Sequence, residues 1–102
     1  MSLLHTVNKS AFNGDTLRNC LAICQAEHSV LLIEDGVYGA LKSSPCRKQI
    51  EQLSAKGVSF FALAVDVNAR GLGNMLAADV TLASDQDFVN LVIQHTATQS
   101  WY

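Results

Sequence analysis

Three cysteines and three histidines are the side chains of this sequence best suited to covalent or metal chemistry. A thiolate is a strong nucleophile, and it can carry a second sulfur as a persulfide when its pKa is lowered and solvent reaches it. Cys24 and Cys46 fall on apolar helical stripes and read as small core residues. Cys20 lies about 60° from the centre of its stripe by helical geometry. That places it at the edge of the core and makes it the candidate reactive thiol. Arg18 favours a Cys20 thiolate only if the two side chains turn toward each other, and a mid-helix position gains nothing from a helix N-terminus. Cys20 and Cys24, one turn apart, can share a soft metal ion. No further Cys or His stands at a zinc spacing, and structural zinc wants four ligands, so neither a metal nor another cofactor is expected.

His5 lies inside an apolar run and reads as a satisfied core histidine. His28 sits at a helix-to-strand turn, and His95 closes the last helical pattern, where a cation favours the dipole. None stands beside a serine or cysteine in a recognisable catalytic motif. Glu34-Asp35-Gly36 offers adjacent carboxylates for general-base work or a cation, or simply a solvated turn bending at Gly36. Asp66 to Gly73, containing Arg70-Gly71-Leu72-Gly73, faintly echoes a phosphate loop but lacks the third glycine and a place after the first strand.

These residues must be positioned by strands and helices that the hydrophobic pattern outlines. Apolar runs at 3–7, 30–33, 58–65 and 80–82 are nearly continuous, the mark of strands buried on both faces of a parallel sheet. Between them lie helical patterns. Leu17, Leu21 and Cys24 form a core stripe over 15–27; Cys46, Ile50 and Leu53 repeat it over 45–56, with Ser44 as cap, Pro45 in the first turn and Gly57 as the stop. Over 85–95 a capping pair, Ser84 and Asp87, opens a helix with the stripe Phe88, Leu91, Val92 and His95. Val89 and Ile93 form a second apolar row that reads either as a subunit contact or as part of a fully buried helix. A short last strand is expected at 98–102. The alternation predicts an α/β fold: a three-layer α/β/α sandwich around a mostly parallel sheet of four to five strands. Sites in such sheets collect at the carboxyl ends of the strands.

Composition bounds the rest. The 102 residues suit one domain spanning 1–102. Only 16% are charged, fewer than in an average soluble domain, which favours a subunit over a lone monomer. A net charge of −2 without a basic stripe argues against direct nucleic-acid binding. No apolar run approaches the ~20 residues of a membrane span. With an odd cysteine count and no basic leader, a cytoplasmic protein is expected.

Several motifs together resemble one family. Leu4-His5-Thr6-Val7-Asn8-Lys9-Ser10 looks like its first strand and loop, and Leu31-Leu32-Ile33-Glu34-Asp35-Gly36 looks like its second strand and turn. Asp66-Val67-Asn68-Ala69-Arg70-Gly71 and Asp87-Phe88-Val89-Asn90-Leu91, with Trp101 near the end, are similar to its later loop, helix and tail. The family is TusB/DsrH, within the DsrE-like superfamily. The resemblance implies a Rossmann-like α/β/α sandwich that assembles as a heterohexamer with TusC/DsrF-like and TusD/DsrE-like paralogous subunits. It implies sulfur traffic between TusA-like and TusE/DsrC-like carriers, toward 2-thiouridine in tRNA or, in the Dsr branch, within sulfur oxidation. The principal persulfide cysteine of such complexes belongs to the TusD/DsrE-like subunit, so this chain is expected to be accessory. Cys20 matches a first-helix cysteine of Dsr-type members and is the candidate accessory persulfide carrier; a purely structural assembly role is the alternative.

Overall fold

The computed structural model describes residues 2–102. Strands β1 (Leu3–Val7), β2 (Ser29–Leu32), β3 (Ser59–Leu63), β4 (Val80–Ala83) and β5 (Ala97–Trp101) form one sheet in the order β4-β3-β2-β1-β5. Every pairing is parallel. Helices α1 (Thr16–Ile23), α2 (Arg47–Ala55), α3 (Ala64–Ala69) and α4 (Asp85–Gln94) connect them, and a 3-10 segment, Glu34–Ala40, follows β2.

The near-continuous apolar runs arise because alternate residues of each central strand feed two cores. In β2, Val30 and Leu32 point to the larger core, while Leu31 points to the smaller one across the sheet. The larger core takes Leu17, Cys20 and Leu21 from α1, Ile50 from α2 and Val67 from α3. The smaller core is covered by α4 alone, through Leu91 and Phe88 on Leu4, Leu31, Ile33 and Phe61. The chain steps outward from β1 to β4, then α4 carries it back across the sheet to β5 beside β1. Because a right-handed crossover made in the reverse direction must lie on the opposite face, α4 stands apart from the other helices.

Local details depart from the sequence expectations for identifiable reasons. The helix expected over 15–27 ends at Ile23: Cys24 is extended (ψ 139°), and Glu27 takes a positive φ of 74°. The amide of Glu27 donates to the Gly57 carbonyl at 3.2 Å, so a contact between loops overrides helix continuation there. The third strand stops at Leu63, and residues expected as strand and loop coil into α3 instead. Gly57, with φ 103°, ends the α2 region as its position suggests. At α4, Ser84 Oγ accepts from the Asp87 amide while the Asp87 carboxylate accepts from the Ser84 amide, the reciprocal capping box expected.

Candidate functional site

The carboxyl ends of the strands hold the turn Glu34-Asp35-Gly36 and the α3 loop, and the structure ties them together. The Glu34 amide donates to Asp66 Oδ2 at 2.7 Å. Arg70 donates through Nε and Nη2 to Asp35 Oδ1 at 3.1 and 2.9 Å, and its Nη1 donates to the Asp66 carbonyl. Arg70 is thus spent on clamping two loops. Gly71 takes a positive φ of 67° in that loop. An open cavity of about 440 Å³ lies nearby, lined by residues that include Asn8, Ser10, Asn13, Glu34 and Asp35.

The thiols are distributed differently from expectation. Cys20 has no exposed surface and belongs to the larger core, not to its edge. The reason is the register of α1: Leu17, Cys20 and Leu21 are the buried positions of this short helix. Cys46 is buried as expected. Cys24, expected within a core stripe, is only half-buried, because the helix has already ended when the chain reaches it.

At that helix end the structure gathers residues far apart in sequence. His5 lies in β1, entirely buried; His28 immediately precedes β2; Trp101 closes β5. His5 Nε2 and His28 Nδ1 are 3.0 Å apart, and Trp101 Nε1–H donates to His5 Nδ1 at 3.1 Å. The indole is only a donor, so His5 Nδ1 is an acceptor and the proton of the neutral ring sits on Nε2. Nε2–H then donates to His28 Nδ1, which also accepts from the Gln25 amide at 3.4 Å. One ligand-type atom from each of Cys24, His5 and His28 falls within 4.8 Å of the others.

Cys24 is the thiol these neighbours act on. Its S–H donates to the Cys20 carbonyl at 3.4 Å. A hydrogen bond from the Cys20 thiol is the main influence lowering its pKa, to about 5; burial opposes it, and the neighbouring His5 and His28 favour the thiolate further. The Cys20 thiol is held far above the ordinary range, first by its bond to Cys24 and then by burial. Burial raises Cys46 as well. Sequence spacing could not show this cluster, since β1 brings its members together only by lying between β2 and β5. His95, the third histidine, bonds instead to the Leu91 carbonyl and the Ser29 hydroxyl, at 2.6 and 2.9 Å.

Comparison with known proteins places this architecture. The family profile described as DsrH like protein matches residues 9–98. The chain belongs to the DsrH family. It is similar to the proteins named TusB of Yersinia pestis and Yersinia pseudotuberculosis, each 35% identical over 99 residues, with 97% of this chain and 100% of the relative covered. In fold, this DsrH-family chain is similar to the YchN protein of E. coli, with a TM-score of 0.88 at 14% identity over 98% of both chains. It is also similar to a protein of unknown function from Methanobacterium thermoautotrophicum, with a TM-score of 0.73 at 18% identity over 97% of both chains. The α/β/α expectation is met, with five strands and an entirely parallel sheet.

Proposed function

We propose that this chain, acting as one domain over residues 1–102, is a subunit of a cytoplasmic heterohexameric sulfur-relay complex. Its partners are paralogous TusC/DsrF-like and TusD/DsrE-like subunits. The complex receives persulfide sulfur from a TusA-like carrier and passes it through a TusE-like carrier toward 2-thiolation of the tRNA wobble uridine. Membership of the DsrH family, with TusB proteins matched along their full length, carries this reading.

The surface supports the assembly part of it. Val89, Val92 and Ile93 of α4 are 51%, 43% and 74% exposed, a contiguous apolar row of the kind that marks an interface. Because α4 alone covers its side of the sheet, a partner packed there would complete that layer. Cys20, matched by resemblance to the accessory carrier position, is sealed in the core, so a carrier role for it requires the last turn of α1 to open.

A single deletion strain tests the reading. Loss of 2-thiouridine from tRNA, restored by this gene, is the expected result, together with co-purification of the two paralogous subunits at equal stoichiometry. Unchanged thiolation with a chain that recovers no paralogue overturns it. Unchanged thiolation with the paralogues still bound would place the complex in sulfur oxidation, the setting that the first-helix cysteine favours.

A further inference from the structure

The cluster of Cys24, His5, His28 and Trp101 supports two chemistries, a soft-metal site or an activated thiol, and the direction of its hydrogen bonds separates them. A histidine that ligates a metal through one nitrogen donates its other N–H to an acceptor. His5 does the reverse. Its Nδ1 accepts from the Trp101 indole, and its Nε2, the atom facing His28, keeps the proton. Ligation through Nε2 would expel that proton while the indole still pointed its own at Nδ1. The same arrangement suits a sulfur anion, because it sets both imidazoles beside the Cys24 sulfur, within 4.8 Å, with the tautomer of the buried His5 ring fixed by β5.

We propose that Cys24 is the thiol of this chain that accepts sulfane sulfur from a persulfide, with His5 and Trp101 as positioning residues; the substrate class rests on the sulfur-relay reading above. In the step, the Cys24 thiolate attacks the outer sulfur of a donor R–S–SH. The Cys24 Sγ–S bond forms as the donor's S–S bond breaks. The donor leaves as R–S⁻ with the electron pair of the broken bond and takes a proton from solvent. The transfer is redox-neutral and requires no co-reactant. Partial exposure at the end of α1, at the rim of the larger core, leaves Cys24 reachable, whereas Cys20 one turn earlier is sealed. Cys20 contributes by hydrogen bonding to the Cys24 sulfur, and the ionisable groups facing that sulfur are Cys20 from α1, His5 from β1 and His28 at the start of β2.

The test uses the purified full chain. Iodoacetamide alkylation is followed by mass spectrometry across a pH series, with fragmentation separating Cys20 from Cys24. Glutathione persulfide then serves as the sulfur donor. Cys24 is expected to alkylate at pH 6 about tenfold faster than an ordinary thiol, because its thiolate fraction is near one although a weakly basic thiolate is intrinsically less nucleophilic. It is expected to gain the mass of one sulfur atom, which Cys24→Ser abolishes. Trp101→Phe, which keeps the ring but removes the donor, is expected to shift the alkylation profile of Cys24 to higher pH; a merely structural role would leave the profile in place. Cys24 alkylating no faster than free cysteine at pH 6, sulfur appearing on Cys20 instead, or protection of Cys24 by added Zn²⁺ would each overturn the proposal. These measurements involve no partner subunit, so their failure leaves the assembly reading standing. Failure to assemble, with Cys24 loaded, overturns that reading alone.

Discussion

Replacing Gly36 by alanine is expected to destabilise the fold sharply, because the added methyl has nowhere to go. A Cβ built on Gly36 lies 2.0 Å from the Val7 carbonyl oxygen and 2.9 Å from its carbon. That oxygen cannot retreat cheaply: it accepts from the Ile33 amide at 3.0 Å, and Val7 pairs with both Leu32 and Trp101 in the middle of the sheet. Relief requires a shift of about 1 Å in either the 3-10 segment or β1. Overpacking of well-packed regions costs about 1–3 kcal/mol, and a clash with fixed backbone belongs at the top of that range. At about 4–8 °C per kcal/mol for a domain of this size, the melting temperature should fall by roughly 10–20 °C. Thermal unfolding followed by circular dichroism measures this directly. Gly14→Ala is the control, since no atom lies within 4 Å of its Cβ position. A Gly36→Ala variant melting within about 3 °C of wild type would refute the argument and show that the 3-10 segment moves freely over β1.

The remaining predictions address the helices and the thiol pair. Ser84→Ala should cost about 1 kcal/mol by removing the reciprocal cap of α4, measured as a lower denaturant midpoint with an unchanged slope. Ile93→Asp should leave the melting temperature of the isolated chain almost unchanged, since that side chain is 74% exposed. It should abolish co-purification with paralogous subunits, and normal recovery would place the interface elsewhere. Cys24 makes stability pH-dependent: its folded pKa of about 5 lies below the ordinary value of 9.0, so between these the unfolded chain holds a proton that the folded chain has released. Stability should therefore rise with pH across that window and be lost as pH falls through about 5. Above pH 9 the raised Cys20 acts in the opposite sense. Cys24→Ser should flatten the rise, and a slope that survives the substitution would assign it to other groups.

What the sequence disclosed followed from how local each determinant was. The parallel sheet was legible because buried strands need unbroken apolar runs, and Ser84-x-x-Asp87 announced α4 because a capping box is complete within four residues. The end of α1 was not legible. Leu17, Leu21 and Cys24 keep helical spacing, yet the Glu27–Gly57 contact, thirty residues apart, halts the helix before Cys24. That one displacement left Cys24 partly exposed at the rim of the larger core, with Cys20 sealed inside it. The histidine cluster depended on strand order: His5 meets Trp101 only because β5 returns to lie beside β1, and meets His28 only because β2 flanks its other side.

One signal for the cluster did exist in the sequence. A histidine inside a mostly apolar strand brings two polar nitrogens into the core, and a buried imidazole cannot leave both unpaired without a cost of about 1–3 kcal/mol. A tryptophan near the chain end likewise needs an acceptor for its single N–H when it packs inward. Each residue type poses the demand that the other meets, and His28 takes up what remains. The consequence reaches beyond satisfaction. A neutral imidazole between a donor-only indole and an acceptor has one tautomer available, so the proton on His5 Nε2 is set by Trp101 at the far end of the chain. Whatever the cluster does chemically is therefore coupled to the docking of β5, an edge strand with most of its side chains exposed. A partner that pairs with that edge would hold Trp101 in place and with it the polarity of the bonds from Trp101 through His5 to His28, the pair of rings beside Cys24.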